Sequence, residues 1–107
     1  MTCEQELKGI NFVGGTFVEY KDGYGTQVEF GRGEIVQFRC HGNSLVVDTE
    51  ESLAAEGIAL GIPHLNSPGC EVVKQPGGYW LIETGPYLGW MCAIAPKGVE
   101  IPKPIFE

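Results

Sequence analysis

Apolar and polar side chains alternate with a period of two along much of this chain, and that pattern predicts strands. In residues 27–30 it sets Val28 and Phe30 on one side and Gln27 and Glu29 on the other. In residues 34–40 it turns Val36, Phe38 and Cys40 inward and Gln37 and Arg39 outward. Gly31, Arg32 and Gly33 between the two runs read as a hairpin loop. Residues 16–20, 45–47, 71–74 and 79–84 supply further short strands with β-branched and aromatic side chains. Lys21, Asp22 and Gly23 read as a turn, as do residues 41–44, residues 76–78, and Gly85 with Pro86. The run 87–95 is apolar on both faces, which fits a central strand under a helix or a face in a subunit interface.

One helix is expected, over residues 49–57. Asp48 is placed as its N-cap, and Glu51 completes a capping-box spacing. Gly57 or Gly61 would end it. Residues 61–69 form an uncharged stretch held by Pro63 and Pro68, which reads as a long loop. Residues 1–8 and 98–107 read as loosely attached tails, although Ile101, Ile105 and Phe106 could dock the second. A faint echo links residues 14–18 with residues 77–81 at an offset of 63, and glycine abundance makes coincidence the preferred explanation. The fold class expected is therefore β-rich α+β, in a single domain over residues 1–107. It would be a curled, mostly antiparallel sheet or small barrel of six to seven short strands.

Composition sharpens this picture. In 107 residues there are 16 glycines and 7 prolines, which favours turns over a helix bundle. The net charge is −7, and the seven cations are scattered singly. Nucleic acid and anionic membranes, which need clustered positive charge, are poor partners. No apolar run approaches a membrane span, and the start does not resemble a signal peptide, so a cytoplasmic protein is expected. Cys3, Cys40, Cys70 and Cys92 are separated by 37, 30 and 22 residues, without a C-x-x-C, and read as free thiols.

Candidate chemistry is sparse. Cys40, His41, His64 and Cys70 carry metal-binding atoms, but the adjacent Cys40 and His41 are a poor chelating pair, so no metal is assigned. Cys70 and His64 share the 61–69 stretch and could make an activated nucleophile. Glu83 stands in an otherwise apolar segment and is a candidate acid or base, while Glu29 reads as solvated. Tyr24, Tyr79, Trp80, Tyr87 and Trp90 are the candidate binding residues. Phosphate-loop and dinucleotide motifs are absent, and no cofactor is assigned. The function expected is a non-enzymatic, self-associating module that binds a protein through an aromatic, acidic β surface. The alternative is a small-molecule barrel or small enzyme with a pocket near Tyr24, Tyr79, Trp80, Glu83 and the 61–69 loop.

Overall fold

The computed structural model describes residues 2–23, 26–54, 64–84 and 91–102. In chain order its elements are α1 (Cys3–Leu7), β1 (Thr16–Gly23), β2 (Thr26–His41), β3 (Ser44–Thr49), α2 (Glu50–Ala54), β4 (His64–Ser67), β5 (Cys70–Lys74), β6 (Trp80–Thr84) and β7 (Met91–Ala95). The seven strands run in the order β4-β3-β2-β1-β7-β6-β5, and every pairing is antiparallel. The architecture is thus a β-rich α+β curled sheet with two short helices, and it does not close into a barrel.

β2 creates the curl. Its first part, Thr26 to Glu34, pairs with β1, and its second part, Ile35 to His41, pairs with β3. Between them the register slips at Ile35/Gln37, so one residue is extra and the strand bends. The slip also resets the alternation. Ile35 is buried in the core, and Phe38 and Cys40 pack against the same core three and five residues later. The hairpin expected at Gly31, Arg32 and Gly33 is therefore corrected to a continuous strand. Gly31 and Gly33 stand opposite Glu19 and Phe17 of β1. The turn expected at residues 21–23 is likewise strand, paired out to Gly23 with Thr26. The turn at Gly42 and Asn43 is present, with Gly42 at φ +60°.

The sheet has apolar side chains on both faces. On the inner face, Phe17, Ile35, Leu45, Val47, Leu65, Trp80, Ile82, Cys92 and Ile94 share one core with Cys3 and Leu7 of α1. On the other face, Val18, Tyr20, Tyr79, Ala93 and Ala95 pack with Ile101. β7 is thus central, as its two-sided apolar sequence predicts, and Cys92, Ala93, Ile94 and Ala95 are fully buried within one chain. The second face is covered by the segment around Val99 and Ile101 rather than by a helix, and Arg32 donates to the Ile101 carbonyl at 3.2 Å. Gly15 permits a close crossing beside β7, since a Cβ there would stand 1.9 Å from the Ala95 carbonyl oxygen.

The loose attachment expected of residues 1–8 is corrected as far as they are described, and the docking expected of Ile101 is present. Thr2 and Gln5 form a capping box, and Cys3 and Leu7 share one helical face that enters the core. Ile101 docks, whereas Ile105 and Phe106 lie outside the described residues. The echoed segments turn out to be the start of β1 and the start of β6, which flank β7. Phe17 and Trp80 both stand opposite Ile94, and Val18 and Leu81 both stand opposite Ala93.

Candidate functional site

The expected N-cap, Asp48, belongs instead to β3, because the ladder continues through it with Gln37 on one side and His64 on the other. The cap of α2 is Thr49. Its amide donates to Ser52 Oγ at 2.8 Å, and the Ser52 amide donates back to Thr49 Oγ1 at 3.3 Å. α2 is described over Glu50–Ala54, and the rest of the expected 49–57 helix lies outside the described residues. Part of the expected 61–69 loop is strand β4, which places His64 directly across from Asp48.

That pairing builds the most polar cluster of the described interior. Asp48 is buried and His64 half-buried, with His64 Nδ1 2.6 Å from Asp48 Oδ1. A carboxylate only accepts, so His64 Nδ1 is the donor of this bond. Ser52 Oγ donates to the same carboxylate oxygen at 3.1 Å. From β1, Glu19 Oε1 accepts the His64 amide at 2.9 Å. Burial raises the Glu19 pKa, opposed by the His64 amide bond and the His64 charge. The cluster ties β1, β3, β4 and α2 together, and no local sequence motif announces it. Asp48 and His64 are 16 residues apart, and only strand register makes them neighbours.

A second feature lies between α1 and β2. Leu7, Phe38 and Cys40 form the apolar part of an open groove of about 390 Å³, with Glu4, Gln5 and Lys8 also lining it. α1 is held in place by bonds to the β2–β3 turn. The Glu4 amide donates to Gly42 O, and Glu4 Oε1 accepts the Gly42 amide. The Cys3 amide donates to Asn43 Oδ1.

The sequence-predicted site residues are dispersed. Tyr79 and Trp80 are core side chains, 7% and 5% exposed, on opposite faces of the sheet. Strand alternation therefore divides the pocket expected near Tyr79, Trp80 and Glu83. Glu83 is exposed beyond Ile82. Tyr24, Tyr87 and Trp90 lie outside the described residues. Cys70 begins β5, with the Ser67 hydroxyl and the Leu45 amide against its sulfur. His64 stands at the other end of β4, three strand residues or about 10 Å from Ser67, and the pair is not brought together. Burial raises the Cys70 thiol pKa, which leaves little thiolate at neutral pH. His41 is 97% exposed and stands 3.9 Å from Glu4. Among the described residues no group of three or more His, Cys, Asp or Glu is placed to hold a metal ion. Among them, too, no helix is long and apolar enough to cross a membrane. No protein-family model, curated protein or solved structure matches the chain.

Proposed function

We propose that the chain is a protein-binding module that seats an apolar side chain of a basic partner segment in the groove between α1 and β2. The groove carries this reading. Its volume lies in the range of binding clefts, its floor is apolar, and Phe38 and Cys40 are only partly buried there. The net charge of −7 favours a basic partner by long-range attraction. This reading replaces the aromatic surface with a different site on the same kind of module. It places the partner site away from residues 92–95, which are covered within one chain. Cytoplasmic residence is part of the same proposal, since all four cysteines are free thiols and three are buried.

The test is an array of short peptides with one leucine or phenylalanine between lysines and arginines, followed by amide NMR on the best binder. Shifts at Leu7, Phe38 and Cys40, lost in Lys8→Trp, are expected. Lys8 is exposed, so the substitution fills the groove mouth without entering the core. Binding that shifts other residues, or that Lys8→Trp leaves intact, would refute the assignment.

A second reading is favoured by the Asp48–His64 bond, a small enzyme with His64 as its proton acceptor. Hydrolysis of an activated aryl ester measures it. Equal rates for the wild type and His64→Ala remove it.

A further inference from the structure

We propose that Cys3 and Cys70 are a modification site, a thiol pair that a small disulfide such as oxidised glutathione converts into an intrachain disulfide. The Cys3 thiol donates to the Cys70 carbonyl oxygen at 2.9 Å, so the two residues touch although 67 positions separate them. The Val72 amide faces the same sulfur. Cys3 therefore sits along the outer edge of β5, where no strand pairs among the described residues. Cys92 is buried in the central strand, and Cys40, whose thiol also lies near Cys3, sits on the groove floor with its sulfur turned to Gly42 O at 4.0 Å, whereas Cys3 is hydrogen-bonded directly to Cys70.

Both sulfurs of the pair are buried, so reaction needs an opening, and α1 supplies it. A helix of five residues is far below the length that is stable alone, so its packing on the sheet is the element that opens. In the opened state the Cys3 thiolate attacks the glutathione disulfide. An S–S bond to glutathione forms at Cys3, and one glutathione leaves as thiolate and takes up a proton. The Cys70 thiolate then attacks the Cys3 sulfur, the Cys3–glutathione bond breaks, and a second glutathione leaves. Two protein thiols are oxidised and one glutathione disulfide is reduced to two thiols. The product pins α1 across the open side of the sheet.

The experiment incubates the full chain with excess oxidised glutathione near pH ~8.5, the ordinary thiol pKa, and maps the disulfides by mass spectrometry. A product lighter by two hydrogens, joining the Cys3 and Cys70 peptides and reversed by dithiothreitol, is expected. Its thermal midpoint should rise, because the bond closes a long loop of the unfolded chain. Cys40→Ser should leave the link intact. Glutathione retained on Cys3, a Cys3–Cys40 link, or no disulfide within the time that unfolded chain is oxidised would overturn the assignment.

Discussion

β7 has a strand on each side and apolar neighbours on both faces, whereas β4 and β5 stand at the two ends of the strand order with one strand neighbour each. At the centre, Cys92, Ala93, Ile94 and Ala95 are fully buried, and their backbone is paired with β1 on one side and β6 on the other. At the ends, backbone groups meet the molecule through other devices. Glu19 accepts the His64 amide of β4, Asn43 O accepts the Cys70 amide of β5, and the Cys3 thiol donates to the Cys70 carbonyl. A barrel removes its edges by closing, while this sheet leaves them open and covers them with a carboxylate, a turn and a thiol. Area-driven burial at the centre is large and indifferent to pH, and the polar covers at the ends are smaller and respond to titration and to thiol chemistry.

The largest effect should come from the centre. Ile94→Ala is expected to lower stability by about 3–4 kcal/mol, read as the urea midpoint, since it removes most of a fully buried side chain. A loss below about 1 kcal/mol would mean that β7 is not the anchor. Asp48→Ala should cost about 2 kcal/mol, because it leaves His64 and Ser52 facing an empty position in a partly buried site. Cys3→Ala should cost about 1 kcal/mol and free α1, which selective loss of amide protection in residues 3–7 would report.

The smallest effect carries a sign. Burial holds the Glu19 pKa above 4.5 in the native state. Between its unfolded and folded values the native carboxyl therefore binds more protons than the unfolded chain does, and stability is lost as pH rises through the folded value. Glu19→Gln keeps an acceptor for the His64 amide and removes the charge. It should be slightly more stable than the wild type at neutral pH, and the gain should vanish below the ordinary carboxylate range. A gain that grows on acidification would contradict the burial of Glu19.

Much of the β architecture was legible in the sequence, because two-residue alternation survives in β6, in the first part of β3 and at Phe38 and Cys40 of β2, and the doubly apolar β7 has one natural place. The bulge at Ile35/Gln37 corrects the inward placing of Val36, since Ile35 takes the core position instead. Three features were not. Gly31 and Gly33 look like a turn, but glycine serves equally where a strand bends opposite Phe17 and Glu19. Asp48 looks like a helix cap because cap residues and buried network residues share a chemistry, and only the β3–β4 register tells them apart. α1 is too short to show a period, and its burial depends on Cys3 and Leu7 finding the inner core. The candidate sites were illegible for the same reason, since the contacts that bring Asp48, His64 and Glu19 together, and α1 onto β2, join residues distant in sequence.

Amide hydrogen exchange of His64, compared between the wild type and Glu19→Ala, tests most directly whether side chains cover the open edges. The His64 amide should be protected in the wild type and exchange rapidly in Glu19→Ala, while the amides of β7 stay slow in both. Rapid exchange of His64 in the wild type, or protection that survives the substitution, would contradict it.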